Sequence, residues 1–226
     1  MELSTLQEGA FILIDKEKHW TSFDVVKKIR SALRIKKIGH AGTLDPLATG
    51  LLILATGKYT KRIEQVQTQE KTYTGVICLG KSTPSYDLET EVVERGGTEH
   101  LTQGDVLIAI KEGFLGEVEQ RPPDHSAVKV DGVRAYQKAR LNKKVEIKTR
   151  KVLIHEFQLL KWENPFLHFK IRCSKGTYIR SIANDIGEKL GVGGYLHELR
   201  RTGIGDHKVE DAKMVKEFLQ EMGLEK

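Results

Sequence analysis

The chain has 226 residues, of which 39% are hydrophobic and 30% charged, with two cysteines and a formal net charge of +6 at neutral pH. Such a length makes one large or two small domains, and the composition excludes a collagen, a disulfide scaffold and a short peptide. The apolar run at residues 10–14 is too short for a signal peptide or anchor, acids stand near it at Glu2 and Glu8, and no segment approaches the ~20 apolar residues that span a bilayer.

Taken in chain order, Phe11 to Asp15 reads as a strand, and Ser22 is the expected N-cap of a helix carrying Val25, Val26, Ile29 and Leu33 at helical spacing. A loop with glycines at 39, 42 and 50 leads into a buried strand at 51–56, a short helix at about 58–66 and a strand at 73–79. Residues 81–98 read as loop and edge strand, and Thr102 is placed to cap a helix running to about Glu112. Leu167, Phe169, Ile171 and Cys173 alternate with His168, Lys170 and Arg172, the period of a half-buried antiparallel strand. Thr177 is then expected to cap a helix with Ile179, Ile182, Ala183, Ile186 and Leu190 on one face, and a last helix is expected at about 210–222. The pattern predicts one continuous α+β domain over residues 1–226, with a mixed, mostly antiparallel sheet flanked by helices. Cys78 and Cys173 both fall in strand-like runs, so buried free thiols and a reducing, cytoplasmic setting are expected.

The charge is unevenly spread. Lys27, Lys28, Arg30, Arg34, Lys36 and Lys37 carry +6 without an acid among them, and residues 129–151 carry a net +7, so the remainder is −7. Either run alone could be the solvated face of a helix or hairpin; two of them against an acidic remainder favour a track for a polyanion.

The stretch GHAGTLDPLATG at 39–50 holds Asp45 directly before Pro46, which biases the aspartate toward an extended backbone. It is no phosphate-binding P-loop, because no Lys-Ser or Lys-Thr pair follows a glycine at the required spacing. Read locally, Asp45 could equally cap a helical turn beginning at Pro46. The longer string GHAGTLDPLATGLLILATG resembles the active-site motif of the TruB family of tRNA pseudouridine-55 synthases. The resemblance continues at KTYTGVICLG (71–80), RPPDHSAVKVDGVRAYQKAR (121–140), CSKGTYIRSIANDIG (173–187) and LRRTGIG (199–205).

What the resemblance implies is a pseudouridine-synthase fold with an RNA-binding cleft, and an isomerase that detaches uracil from a ribose and rejoins it through carbon, with no metal or cofactor. Asp45 would be the nucleophile, on ribose C1′ or uracil C6, or would stabilise the detached sugar. Arg180 matches the arginine that pairs with the catalytic aspartate and keeps it ionised, and Tyr73 the tyrosine against the target base. His40 matches the histidine that fills the space of flipped bases; Tyr178 and Leu199 match residues lining the base pocket, and Lys16 and Lys61 basic positions near RNA phosphates. Each of these has a plainer alternative in core packing, a satisfied histidine or a surface charge.

Three departures stand out. DKEKHWTS at 15–22 has Glu17 and His19 where the family usually has Pro and Gly, which leaves the shape of that turn open. Asp87, in the acidic loop 81–91, has no assigned role. Many members continue into a small C-terminal RNA-binding domain of the PUA type, and none is expected here. The expected partner is the T-arm of tRNA, bound by a monomer, with no membrane involved. A non-catalytic RNA-binding or RNA-folding protein on the same scaffold, and a synthase for another uridine, are the competing readings.

Overall fold

The computed structural model describes residues 2–126, 128–130, 132–135, 138 and 147–224. Its main elements are α1 (Leu3–Glu8), β1 (Phe11–Lys16), α2 (Ser22–Leu33), β2 (Ile38–His40), β3 (Thr49–Thr56), α3 (Ile63–Thr68), β4 (Lys71–Leu79), α4 (Gln103–Gly113), β5 (Gly116–Gln120), β6 (Arg150–Glu163), β7 (Phe166–Cys173), α5 (Ile179–Lys189), β8 (Gly194–Ile204), β9 (His207–Lys208) and α6 (Val215–Glu221). The chain divides into two compact units, residues 1–74 with 199–226, and residues 75–198; β4 and β8 each contribute to both. Among the described residues no helix is long and apolar enough to cross a membrane.

In the first unit, β3 is flanked by β1, antiparallel from Phe11↔Ala55 to Lys16↔Gly50, and by β8, parallel at Arg200↔Thr49 and Arg201↔Gly50. Leu52 and Leu54 point from β3 into a cluster with Ile12, Ile14, Val25, Ile29, Leu33 and Phe218, where α2 and α6 cover the sheet. Leu51 and Ile53 point the other way, against Val66, Ile204 and Val209. A strand apolar on both faces is what burial between two layers requires.

The second unit is built on the antiparallel hairpin of β6 and β7, with β5 on the outer side of β6. Leu167, Phe169, Ile171 and Cys173 are buried in strict alternation, and Ile179, Ile182, Ala183 and Ile186 form the buried stripe of α5. The fold is α+β with a mixed sheet flanked by helices, as the pattern of elements predicts. Both cysteines are free and buried, as expected.

Several boundaries differ from the sequence reading. Thr21, not Ser22, caps α2: its hydroxyl accepts from the Asp24 N–H while the Asp24 carboxylate accepts from the Thr21 N–H, a reciprocal pair. Ser22 is thereby released to bond the loop described below. α5 begins at Ile179 after Tyr178, and the Thr177 hydroxyl donates to the Ser174 carbonyl instead of capping. The expected 58–66 helix divides into a 3₁₀ turn at Gly57–Arg62 and α3. His40 lies in β2, paired with Leu54, and not in a loop. Much of the basic stretch at 129–151, namely residues 131, 136, 137 and 139–146, falls outside the described residues.

Two positive-φ positions shape the site. Gly50 has φ +101°, and a Cβ there would stand 2.3 Å from the Arg201 carbonyl oxygen and 2.7 Å from its nitrogen. His19, exposed, has φ 70°, the left-handed conformation that the glycine usual in the family at this position would adopt without strain. So the turn is kept and the histidine carries its cost. Gly50→Ala is expected to lower unfolding free energy by at least ~2 kcal/mol, read from denaturant midpoints at unchanged slope. His19→Gly is expected to raise it by about 0.5 kcal/mol, since relief of left-handed strain exceeds the added entropy of the unfolded chain.

Candidate active site

The backbone around Asp45 is pinned from three directions within the first unit. Residues 46–47 make a single turn closed by the Ala48 N–H on the Asp45 carbonyl (3.1 Å), and β3 follows at once, so no helix starts at Pro46 for Asp45 to cap. On the N-terminal side, the Ser22 hydroxyl accepts from the Leu44 N–H (2.9 Å) and donates to the Leu44 carbonyl (3.2 Å), which fastens the residue before Asp45 to α2. On the C-terminal side, the Pro46 carbonyl accepts from the His19 N–H (2.7 Å) and from the Lys16 ammonium (3.4 Å).

Lys16 ends β1 and is fully buried, at 0% exposure. Its ammonium also donates to the carbonyls of Trp20 (2.7 Å) and Glu17 (2.9 Å), so three donors meet three acceptors. This places Lys16 beneath the loop and not at the surface where a phosphate contact was expected. Burial pushes its pKa down to about 8, while the charge of Asp45 pulls the other way, and the ammonium stays protonated at neutral pH.

The third grip is Arg201, which the sequence reading missed although it stands in the LRRTGIG run. Arg201 is 1% exposed; its Nε donates to the Leu51 carbonyl (2.7 Å), Nη2 to Gly42 (3.1 Å) and Nη1 to Thr43 (3.5 Å). Burial lowers its pKa, opposed by a hydrogen bond to Tyr73 and by the charges of Tyr73 and Asp45. A guanidinium starts high enough to remain charged through such a shift. Its neighbour Arg200 faces outward and binds Asp15 through both carboxylate oxygens (2.9 and 2.6 Å). The LRRTGIG string carries no signal that tells its inward arginine from its outward one.

Of the residues expected at the site, the first unit brings Asp45, Lys16, Tyr73 and His40 around Arg201. Tyr73 is buried on β4. His40 is half-buried, and burial, then the Arg201 charge, hold its pKa below the usual range, so the ring is neutral. Leu199 opens the first unit's share of β8, half-buried, its carbonyl accepting from the Thr49 hydroxyl (3.5 Å). Lys61 lies exposed on the 3₁₀ turn beside Arg62, whose guanidinium sits 4.4 Å over the Tyr59 ring.

Arg180 and Tyr178 belong to the second unit. Arg180 is buried, not a surface helix residue: it donates to the carbonyls of Ser85 and His125 (3.1 Å each) and its Nε stands 3.7 Å from the Asp87 carboxylate. Asp87 in turn accepts from the Ser85 hydroxyl (2.6 Å) and the Glu89 N–H (2.9 Å), which accounts for the aspartate of the 81–91 loop. Tyr178 is fixed by Gln120, which accepts from its N–H (2.7 Å) and donates to its carbonyl (3.0 Å), and the Arg150 guanidinium lies 4.6 Å over its ring. Within the first unit, the turn of Asp45 has the buried cations Lys16 and Arg201 beside it, the requirement for a nucleophile that must stay ionised.

Residues 30–179 match the family described as TruB family pseudouridylate synthase (N terminal domain), and residues 180–223 match the tRNA pseudouridylate synthase B C-terminal domain. The chain is 50% identical over 212 residues to the tRNA pseudouridine synthase B of Flavobacterium johnsoniae, covering 91% of this chain and 92% of that protein. It is 49% identical over 220 residues to the same-named protein of Chloroherpeton thalassium, covering 95% and 91%. Among solved structures it resembles a chain of a Cbf5-Nop10-Gar1 complex with TM-score 0.72 and 29% identity, covering 97% of this chain and 58% of that one. A chain of an H/ACA RNP bound to a substrate RNA containing 2′-deoxyuridine follows at TM-score 0.70 and 28% identity, covering 98% and 57%. A family pattern matched over more than half of the chain, relatives near half identical along almost their whole length, and a fold shared with solved relatives converge: the chain belongs to the TruB family of pseudouridine synthases.

Proposed function

We propose that this protein is a tRNA pseudouridine synthase, an isomerase acting on the T-loop uridine with Asp45 as its nucleophile. The observation that carries the reading is the loop itself: Asp45 is held between Leu44, bonded twice to Ser22, and Pro46, bonded to His19 and Lys16. Its charge acts on two buried cations, Lys16 and Arg201. The isomerisation breaks one glycosidic bond and makes another between the same ribose and base, so atoms and electrons balance without a co-reactant. A fixed, ionised carboxylate is the group such a reaction needs.

The remaining assignments rest on the family resemblance. Tyr73 lies against the target base, His40 fills space left by flipped bases, Leu199 and Tyr178 line the base pocket, and Lys61 contacts phosphate. Base extrusion costs a few kcal/mol, and stacking on aromatic rings offsets it. The outward face of α2, with Lys27, Lys28, Arg30 and Arg34 all exposed, supports phosphate binding by shape more than by sequence.

Asp45→Asn is expected to reduce pseudouridine formation in a T-arm stem-loop more than ~10³-fold while RNA affinity stays within about threefold. Near wild-type turnover would remove Asp45 from the role of nucleophile. A mutant that still folds tRNA but makes no pseudouridine separates catalysis from any RNA-folding role. Arg180→Ala is expected to lose turnover far more than affinity; equal losses would make it a binding residue. Binding should weaken steeply with salt, and neutralising Lys27, Lys28 and Arg30 should flatten the log–log slope by about 1 for each phosphate contact removed.

A further inference from the structure

We propose that Arg201 is a positioning residue that sets the Asp45 loop and the Tyr73 hydroxyl in a fixed relation, acting on the reaction without touching substrate. The inference deepens the proposed function and rests on Asp45 being the nucleophile.

The Arg201 side chain bonds Gly42 and Thr43 in the loop, Leu51 near the start of β3, and Tyr73. Gly42 and Thr43 precede Asp45 by three and two positions, and Leu51 follows it by six, so the guanidinium grips the loop on both sides of the aspartate. Tyr73 on β4 is the remaining partner. The planar fork suits this work, because its five donors point in fixed directions, whereas the three donors of an ammonium rotate about a flexible stem.

The anchor is equally specific. Arg201 leaves β8 at the parallel contact with Gly50, and the missing Cβ of Gly50 is what lets the two backbones come so close. The guanidinium therefore springs from a buried strand and not from a mobile loop. A charged group is a poor choice for filling a core, where an apolar side chain of similar size packs without desolvation. Its burial at 1% exposure, with its bonds shared among the aspartate's loop, the strand that follows it and Tyr73, points to a use in catalysis. Small errors in placing a nucleophile are costly in rate, which is the physical value of such a clamp.

The test uses the full chain with Arg201→Met, Arg201→Lys and the Asp45→Asn control. Single-turnover pseudouridine formation, affinity for a T-arm stem-loop, thermal unfolding and hydrogen exchange of peptides covering residues 41–51 are measured on each. Arg201→Met is expected to slow the single-turnover step by ~10²-fold with affinity within about threefold, and to speed exchange of the 41–51 peptides at least ~10-fold while peptides from β6 and β7 are unchanged. Arg201→Lys, which keeps the charge without the fork, should recover part of the rate. If Arg201→Met does not fold, Arg201→Lys decides: it should slow the step by about 10-fold at a near-native unfolding midpoint. A folded variant that keeps its rate within threefold, or loses rate and affinity together, or loosens everywhere alike, overturns the proposal. Because exchange is read without substrate, a chain that makes no pseudouridine at all overturns the proposed function while the clamp is still judged on its own.

Discussion

Two buried cations hold the turn that carries Asp45, and the rest of the first unit is arranged so that they can. Lys16 reaches the turn from the end of β1 and Arg201 from β8, the two strands that flank β3. Both donate to main-chain carbonyls, whose positions do not depend on neighbouring side chains, so the geometry of the loop follows from the geometry of the sheet. Charge without solvent is normally unfavourable in a core, and here it is tolerated because each cation bonds several carbonyls and feels the charge of Asp45. The charge of Asp45 acts in turn on both of these cations.

The second unit applies a similar solution to another arginine. Arg180 is buried, donates to the carbonyls of Ser85 and His125, and has Asp87 as counter-charge. The loop closes on itself through Ser85, Thr83 and Asp87, so the counter-charge is as firmly held as the cation. Buried arginines in both units are matched to acceptors contributed by irregular backbone. That is the physical reason these loops can be functional and still well defined.

The outward charge has a different origin. Residues 27, 28, 30 and 34 are exposed because the opposite stripe of α2, Val25, Val26, Ile29 and Leu33, is committed to the core. The basic face follows from amphipathicity and serves polyanion attraction at no expense to packing. It also explains why net charge alone was uninformative: the acidic remainder nearly cancels it.

Periodicity was enough to place β1, α2, β3, β4, α4, β7 and α5, because each carries its own apolar stripe or alternation. It missed α1, β2, β5, β6, β8 and β9: several are short, and β6 and β8 show no strict alternation of buried and exposed residues along their length. The candidate site divides in the same way. Asp45, Tyr73 and Arg180 could be named as candidates because the motifs that contain them are contiguous strings. Arg201 and the role of Asp87 could not, since their significance is a contact with residues more than 80 positions away. Lys16 was legible as a position and misread as a surface charge, because burial is not visible in a single residue's identity. The sequence by itself determined the family, the α+β class and the place of Asp45 within the motif that carries the resemblance. Only the tertiary structure decided which cations are inside and what they hold, because hydrogen bonds to distant carbonyls exist only once the strands have paired.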